Sequence, residues 1–394
     1  MENLTIAVQY PSFGPQHPPR LRAIVRSAPN ANCRVVAMEM FAKDSDYEWD
    51  PVLLGKETFE RYTVMDCESA VGRRNRSILK KTVFKALDDI RPDVLVVNGW
   101  GHRESRISLA WCRKEKCKIV MLSDSVRDNF PRYFWKETYK KWLLRGIQAG
   151  FAAGTPQARY LNRLGIPLEG IFYPGSTVVD NEYWTKKKRQ IVKDKEKLRL
   201  LYGLPERFFL CVARFVDFKN IPFLIRSYAA YRSLAGQQAI GLVLCGSGPQ
   251  EGKIIKTIKN FNLKEVYLVG FRQASELPVF YGLADCFIFP SSRFEPWGLV
   301  ANEAMASGLP ILASSMTGCA EDLVHDEVNG FVFDPEDENG LADIMFKITQ
   351  DQHSLAQKGR ESEKIIAAHS PEAGAINFWK AVQTALGRPQ SVPH

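Results

Sequence analysis

Short apolar runs alternate with longer helical stretches along the chain, and this alternation limits the fold more than any other feature. Each run ends in a loop that carries Gly, Pro, Ser or a charge before the next helical pattern. The pattern is typical of βα units around a parallel sheet, because parallel strands need a crossover between them. The first series of predicted strands is 4–9, 34–37, 93–97, 118–122 and 150–153.

A polar, charged stretch at 186–199 interrupts the alternation, which then restarts. A chain of 394 residues is too long for one ordinary core. We therefore predict an α/β protein of two Rossmann-like, doubly wound domains that face a cleft, 1–185 and 186–371, with a C-terminal helix at about 372–390 joining the first domain. The predicted strands of the second domain are 207–214, 239–246, 265–270, 285–290 and 310–314.

The formal charge of +9 is compatible with three kinds of anionic partner: nucleic acid, an anionic membrane or a phosphorylated small molecule. There is no run of 18 or more apolar residues, and the N-terminus lacks the basic-then-apolar pattern of a secretory signal, so a cytoplasmic location is expected. The eight cysteines are scattered and are interpreted as reduced thiols. Cys112 and Cys117 have no second pair that would complete a zinc site.

Two fixed positive charges and a glycine turn are predicted at one edge of the second sheet. Arg214 and Lys219 follow its first strand, and the glycine turn 245–250 follows its second. Because ligands of open α/β sheets bind at the carboxyl ends of the strands, these features meet where a ligand is expected. Cations and helix N-termini at one edge suit a diphosphate.

The segment 293–310, RFEPWGLVANEAMASGLP, follows the fourth predicted strand of this domain. It places Glu295 in the loop and Glu303 inside the next helix, eight residues later. Another Gly-containing turn into a helix, 314–323, follows the fifth strand. Each signal is weak alone, and it is their order after successive strands that favours a binding site.

Residues 207–335 resemble the donor-sugar domain of retaining nucleotide-sugar glycosyltransferases of the GT-B fold, in the large GT4 family (glycosyl transferases group 1). Four motifs carry the resemblance in order: ARFVDFKN, CGSGP, the E-x7-E segment FEPWGLVANEAMASGLPILAS, and NGFVFDP, the end-of-domain loop. The first half of the chain matches by layout. The resemblance implies a metal-independent hexosyltransferase that retains the anomeric configuration, uses a UDP- or GDP-sugar as co-substrate and has no cofactor.

The resemblance also implies roles for individual residues. Arg214 and Lys219 would neutralise the departing diphosphate, and Glu295 would bind a sugar hydroxyl. Glu303 would accept hydrogen bonds from the ribose hydroxyls, and neither glutamate would act as a nucleophile. The remaining donor contacts are implied at Gly246, Gly248, Phe271, Arg272, Trp297, Gly298, Leu299, Val300, Thr317 and Gly318.

The first domain is expected to bind the acceptor, a glycan, glycolipid or lipid-linked saccharide. In the loop 10–20, Gly14 would let backbone approach the donor phosphates and His17 would face the acceptor; a proline-rich loop with an exposed histidine is the alternative. Where the family often carries a histidine, this chain has Asp124. Either Asp124 or His102 is expected to contact the sugar, and we favour Asp124 as a catalytic residue, although it could also be the N-cap of the following helix.

The segment 132–145, RYFWKETYKKWLLR, alternates aromatic and basic residues. It predicts either peripheral contact with an anionic membrane or an amphipathic helix with its aromatic face in the core and its lysines in water.

Three other functions stay open at this point. A GT-A transferase would need an Asp-x-Asp metal site, and Asp44 and Asp46 are better interpreted as part of a solvated loop. A sugar-nucleotide epimerase of the same two-domain shape is the nearest enzyme. A basic nucleic-acid-binding protein is the alternative from another class, but the usual modules are missing, so nucleic acid is not expected as a partner.

Overall fold

The structure, a computed structural model, divides into two units. Unit 1 ends at Val179 and resumes at Ser370, and unit 2 spans Asp180–His369. Asp44 and Asp46 lie outside the described residues. The structure describes residues 4–29, 32–42, 57, 59–65, 75–127, 132–292 and 295–388.

Unit 1 contains a seven-stranded parallel sheet of order β3-β2-β1-β4-β5-β6-β7. Its strands are β1 (Leu4–Tyr10), β2 (Cys33–Phe41), β3 (Glu60–Met65), β4 (Val94–Asn98), β5 (Lys118–Ser123), β6 (Ala149–Ala152) and β7 (Ile171–Phe172). Its helices, numbered in chain order, are α1 (His17–Arg26), α2 (Arg76–Ile90), α3 (Arg103–Glu115), α4 (Phe134–Leu144), α5 (Thr155–Arg163) and the C-terminal α15 (Pro371–Ala385).

Helices cover both faces of this sheet, which explains why its central strands read as nearly continuous apolar runs. Ala7 of β1 belongs to one core cluster, and its neighbours Ile6 and Val8 belong to the cluster on the other face. The second cluster includes Trp379 of α15, whose indole N–H donates to the carbonyl of Ile24 at 2.9 Å. Helix α15 is therefore part of the core of unit 1.

Unit 2 contains a six-stranded parallel sheet of order β10-β9-β8-β11-β12-β13. Its strands are β8 (Phe208–Val212), β9 (Gly241–Cys245), β10 (Val266–Gly270), β11 (Cys286–Phe289), β12 (Ile311–Ser314) and β13 (Gly330–Phe333). Its helices are α6 (Asn181–Ile191), α7 (Lys195–Tyr202), α8 (Ile221–Ala235), α9 (Glu251–Asn260), α10 (Leu277–Leu283), α11 (Leu299–Ala306), α12 (Ala320–Leu323), α13 (Glu338–Thr349) and α14 (Gln352–Ala367).

The predicted fold class is confirmed, because both sheets are parallel and doubly wound. In each sheet the strand order reverses once beside the first strand, between β1 and β4 in unit 1 and between β8 and β11 in unit 2. Such a switch point opens a crevice at the carboxyl ends of the two strands, and open α/β sheets bind ligands there.

The structure contains three strands that the sequence pattern did not indicate. β3 and β7 were not predicted, and β13 forms within NGFVFDP, which was expected to be a loop. β7 and β13 contain two and four residues, too few to show an alternating pattern.

The charged stretch 186–199 is largely helical, since it overlaps α6 and α7, and Ile191 within it is buried. The two units meet in sequence between Val179 and Asp180, whereas the boundary predicted after residue 185 falls inside α6. Among the helices in the described part of the chain, none is long and apolar enough to cross a membrane.

Candidate active site

Three loops at the carboxyl ends of strands in unit 2 are hydrogen-bonded to one another or to a neighbouring strand end. These loops follow β8, β9 and β11, and they meet the last residue of β10. Backbone bonds of this kind fix irregular segments at the sheet edge where a ligand is expected. They run from the N–H of Phe215 to the carbonyl of Ser247, of Gly246 to Gly270 and of Ser292 to Phe218, at 2.7, 2.9 and 2.8 Å.

Lys219 and Glu295 form an ion pair across the switch point of unit 2. Lys219 ends a short 3-10 turn after β8, and Glu295 follows β11. The ammonium contacts the carboxylate oxygen Oε2, and the two side chains are only 12% and 8% exposed. The hydroxyl of Ser291 donates to the same oxygen at 3.0 Å. A buried carboxylate needs such partners, because an uncompensated buried charge is costly.

Aromatic rings flank the ammonium of Lys219. Its Nζ lies 5.3 Å from the ring centroids of Phe218 and Phe289, in the range of cation–π contact. Arg214 is partly buried two residues beyond the end of β8. The loop after β8 therefore brings both predicted cations to the strand end next to β11.

The turn that begins α11 can be made only by glycine. Gly298 has φ +100°, and a Cβ built there would lie 2.2 Å from a ring carbon of Phe289. Helix α11 starts at the next residue, so the amides of Leu299 and Val300 belong to its first turn and have no partner within the helix. The indole of buried Trp297 donates to the Asn302 side chain at 2.8 Å, so Trp297 offers its backbone rather than its ring.

Glu303 lies within α11 and is held by a residue that the sequence did not indicate. The hydroxyl of Tyr281, a fully buried residue of α10, donates to Glu303 Oε2 at 2.9 Å. Burial, reinforced by the Glu303 charge, raises the pKa of Tyr281 well above its ordinary value, so this hydroxyl keeps its proton. In the sequence, Tyr281 belongs to an apolar helical pattern, which predicts a core residue.

The predicted glycine turn after β9 packs closely against the loop after β8. A Cβ on Gly246, at φ +149°, would lie 1.8 Å from the carbonyl oxygen of Ala213. Gly248 follows in the same turn, and the N–H of Gln250 donates to the carbonyl of Phe215 at 2.9 Å. The turn therefore positions the segment that carries the two cations.

The turn after β12 is attached directly to the segment of Glu295. The N–H of Gly318 donates to the backbone carbonyl of Glu295 at 3.1 Å, and the Thr317 hydroxyl donates to the carbonyl of Ser314 at 2.8 Å. Lys219 and Gly318, which come from two other strand ends, are thus each in direct contact with Glu295.

Phe271 and Arg272 follow β10, at the outer end of the same sheet edge. Phe271 is 36% exposed, whereas Arg272 is engaged with the protein itself. Its guanidinium lies 3.2 Å from the Glu276 carboxylate and over the rings of Tyr202 and Phe280, 5.6 and 5.5 Å from their centroids. The exposed ring of Phe271 is the surface that this turn presents to a ligand.

In unit 1, two predicted residues lie around a buried arginine. Arg20 of α1 is 7% exposed, its Nε donates to the carbonyl of Val178 at 2.8 Å, and its charge acts on both His17 and Asp124. Arg20 was not predicted as a site residue, although it falls three residues after His17, on the buried side of α1.

The His17 ring is enclosed by its own loop. It lies 4.3 Å from the ring of Tyr10, and its Nδ1 accepts the N–H of Gly14 at 2.8 Å. Burial and the nearby Arg20 charge lower the pKa of His17 well below its ordinary value, so the imidazole is neutral at pH 7.

Asp124 directly follows β5, and its Oδ1 is buried without a hydrogen-bond partner among the described residues. Burial raises its pKa, while the Arg20 charge and a hydrogen bond from Ser176 oppose that rise. Asp124 is not the N-cap of α4, since that position belongs to Tyr133. His102 is the exposed N-cap of α3, and its Nδ1 lies 3.5 Å from Glu104.

No group of three or more His, Cys, Asp or Glu with the geometry to hold a metal ion occurs in the part of the chain that the structure describes.

The sequence of unit 2 matches a known protein family. Residues 192–365 match the model of the family "Glycosyl transferases group 1". The matched segment lies wholly within unit 2. The resemblance that the four motifs predicted is therefore confirmed, and the match covers all of those motifs.

Two relatives and one set of solved structures illustrate the likeness. An uncharacterized glycosyltransferase, MJ1607, of Methanocaldococcus jannaschii is 33% identical over 138 residues, 35% of this chain and 34% of the relative. A GDP-mannose-dependent alpha-(1-6)-phosphatidylinositol monomannoside mannosyltransferase of Mycobacterium tuberculosis is 27% identical over 182 residues, 44% and 46% of the two chains. The chain thus spans less than half the length of these curated relatives.

Solved structures of Anabaena Alr3699/HepE extend the likeness to the whole chain. Its complexes with UDP and with UDP-glucose have TM-scores of 0.71 and 0.69, cover 97% of this chain and 100% of theirs, and are 16% and 18% identical. At that identity the likeness concerns the fold, and the chain accordingly shares its two-unit α/β fold with them.

Proposed function

We propose that the protein is a retaining, metal-independent glycosyltransferase that moves a hexose from a UDP- or GDP-sugar to a hydroxyl of a glycan, glycolipid or lipid-linked saccharide. The observation that supports this most strongly is the Lys219–Glu295 pair at the switch point of unit 2, with Arg214 on the same loop. It joins a leaving-group cation and a sugar-binding carboxylate in one rigid contact.

The cations act on the charge that develops as the donor breaks. When the bond between the anomeric carbon and the diphosphate oxygen cleaves, negative charge grows on that oxygen. Lys219 and Arg214 stabilise it without reorganisation, because their loop is already fixed. The amides of the first turn of α11 add their dipoles on the same side.

The two glutamates bind different parts of one donor. Glu295 accepts a hydroxyl of the sugar, and Glu303, oriented by Tyr281, accepts the ribose hydroxyls. In a front-face reaction the acceptor oxygen bonds to the anomeric carbon on the side that the phosphate leaves. Because attack and departure take place on one face, the configuration is retained. The departing phosphate oxygen takes the acceptor proton, and neither glutamate forms a covalent bond.

Asp124 is proposed to contact the sugar from unit 1. Its Oδ1 is buried without a partner among the described residues, so it can accept a hydrogen bond from a sugar hydroxyl. His17 is proposed to face the acceptor as a neutral ring. Gly14 stays a predicted donor contact, although its N–H is given to His17 in this structure.

The names of relatives support the classes of donor and acceptor. Anabaena Alr3699/HepE was solved with UDP and with UDP-glucose, and the mycobacterial relative is named for GDP-mannose and a phosphatidylinositol mannoside. We therefore propose a nucleotide sugar as the donor. A lipid-linked saccharide is the favoured acceptor, with peripheral contact between the protein and an anionic membrane.

Thermal-shift titration with UDP-glucose, GDP-mannose and related nucleotide sugars tests the donor. A donor at about a hundred times its Kd stabilises the native protein by about 2.7 kcal/mol, so the preferred one raises the Tm measurably. Glu303→Ala should weaken that shift, while Glu251→Ala, an exposed residue of α9, should not. No shift with any nucleotide sugar contradicts the proposal.

Product analysis separates transfer from the epimerase alternative. Transfer requires an added acceptor and gives a product with the donor's anomeric configuration, also in the presence of EDTA. Loss of activity in EDTA contradicts the metal-independent part, and a 2-epimerised sugar formed without acceptor contradicts transfer itself.

A further inference from the structure

Helix α4 presents a row of aromatic side chains to solvent. We call Tyr133, Phe134, Trp135, Tyr139 and Trp142 the aromatic face. The expectation that these rings lie in the core is wrong, because the buried residues of α4 are Leu143 and Leu144. The exposed fractions, in the same order, are 52%, 84%, 56%, 50% and 62%.

The rings are grouped on the helix rather than scattered over it. Phe134 and Trp142 are eight residues apart and Trp135 and Tyr139 four apart, which places them on one side of the helix. Tyr133 stacks on Trp135 at 6.0 Å, and Tyr139 stacks on Trp142 at 5.9 Å. Contiguous exposed apolar surface on a folded protein marks an interaction site.

The charges around this face have one sign. Lys136 lies over the rings of Tyr133 and Trp135, at 4.9 and 5.1 Å, and Lys141 and Arg145 are exposed beside them. The acidic residue of the helix, Glu137, is turned away from the face and is paired with Lys140 at 2.7 Å. The aromatic face is thus bordered by cations whose charge is not matched on the helix surface.

The side of α4 away from solvent is anchored in unit 1. The hydroxyl of Tyr160 on α5 donates to the Glu137 carboxylate at 3.0 Å, and the Lys140 ammonium donates to Tyr160 Oη at 2.8 Å. The guanidinium of Arg132 lies 4.7 Å above the Tyr160 ring. The rings of the aromatic face are therefore displayed by a helix that the unit holds in place.

We propose that the aromatic face of α4 docks into the interfacial layer of an anionic lipid bilayer. The proposal rests on the proposed function, since it gives the enzyme access to a lipid-linked acceptor. Trp and Tyr prefer the headgroup level of a bilayer, where a ring and a polar atom are both satisfied. Lysine and arginine beside them attract anionic lipids, and an 11-residue amphipathic helix lies in the plane of the interface.

Vesicle flotation tests the docking directly. The full-length protein is mixed with phosphatidylcholine vesicles, with or without phosphatidylglycerol, and should float with the mixed vesicles and far less with the neutral ones. Vesicle affinity should fall about tenfold or more in the variant Phe134→Ser/Trp135→Ser/Tyr139→Ser/Trp142→Ser. This variant lacks most of the apolar surface that would enter the bilayer.

One further variant tests the cations of this surface, and a second serves as a control elsewhere on the protein. Lys136→Glu/Lys141→Glu should abolish the preference for anionic vesicles while leaving the rings in place. Phe261→Ser, which removes a 47% exposed ring from unit 2, is the matched control and should float as the wild type does. Because every substituted side chain is exposed, each variant should keep the wild-type Tm.

Three results would overturn the proposal. They are a wild type that does not float with mixed vesicles, a four-serine variant that floats equally well, and sedimentation velocity showing a dimer that only the four-serine variant loses. Donor binding and transfer to a soluble acceptor are measured on the same samples. Flotation without donor binding contradicts the proposed function alone, and donor binding without flotation contradicts the docking alone.

Discussion

The two units hold their strand-end side chains in opposite electrostatic states. In unit 2 the groups at the switch point are charged and mutually compensated, as in the pair of Lys219 with Glu295. In unit 1 the titratable groups near Arg20 are shifted toward neutrality. Burial raises the pKa of Tyr10 and Asp124 and lowers that of His17.

This difference matches what each surface is proposed to bind. A diphosphate leaving group develops full negative charge, which fixed cations stabilise. A neighbouring carboxylate offsets the repulsion between those cations. An acceptor hydroxyl and a sugar are neutral, and neutral donors and acceptors recognise them without the cost of desolvating a charge. Substitutions in one unit at a time test this difference.

The largest effect is expected for Lys219→Ala. Removing the ammonium deprives the leaving diphosphate of a preorganised cation, and kcat should fall by about 10²–10³. The substitution leaves the Glu295 carboxylate without its cation, so a lower Tm should accompany the loss. Lys264→Ala, at an exposed position of the same unit, should change neither quantity. Wild-type kcat in Lys219→Ala would show that the charges of unit 2 are structural.

For unit 1 the matching change is Asp124→Asn, which keeps the shape and removes the carboxyl. Transfer should slow by about tenfold or more, the size of one hydrogen bond to a charged group, because Asp124 is proposed to contact the sugar. Because the folded pKa is raised above 3.8, the stability from this group is present at low pH and is lost as the pH rises.

Asp124→Asn should therefore match or exceed the wild-type Tm at pH 7. Kinetics and thermal unfolding at pH 7 are the measurements. A lower Tm with normal kinetics would assign Asp124 to structure.

Gly298→Ala should damage unit 2 by packing alone. The new Cβ would meet the Phe289 ring, and φ +100° is unfavourable for alanine, so we expect a loss of about 1–3 kcal/mol in unfolding free energy. Gly252→Ala, where a Cβ meets nothing within 4 Å, is the control in the same unit. Calorimetric unfolding compares the two variants, and equal stabilities would contradict the proposed requirement for glycine.

Tyr281→Phe removes one hydroxyl and leaves the ring in place. Glu303 loses its 2.9 Å hydrogen bond, so the donor Kd should rise about tenfold, the size of one hydrogen bond to a charged group. Because the ribose end is remote from the bond that breaks, kcat should stay within about twofold. Calorimetric titration with UDP gives the Kd, and a fall in kcat with an unchanged Kd would contradict a positioning role.

The smallest effect is a pH dependence that belongs to unit 1. His17 has a folded pKa below 6.5, so its neutral form contributes stability that is present above pH 6.5 and is lost as the pH falls. His17→Asn should flatten the decline of the Tm between about pH 6.5 and 5 without a large change at pH 8. Thermal unfolding across this range is the measurement, and an identical slope in both proteins would contradict a neutral His17 in the folded protein.

The sequence predicted the βα architecture and the positions of the charged loops, because both depend on local patterns. It could not show that Lys219 and Glu295 are paired, since 76 residues separate them and the contact depends on β8 lying beside β11. Tyr281 and Arg20 gave no signal either. One is an aromatic residue in an apolar helix and the other a basic residue in a helical pattern, and only tertiary structure shows which polar group each reaches.

The position of α15 has a consequence for how the chain is made. This helix belongs to the core of unit 1, yet it follows the whole of unit 2 in the sequence. During synthesis, all of unit 2 is therefore made before the last helix of unit 1. Domains usually finish folding in the order of their synthesis. Here the second unit can be complete while the first still exposes the apolar surface that Phe378 and Trp379 will cover.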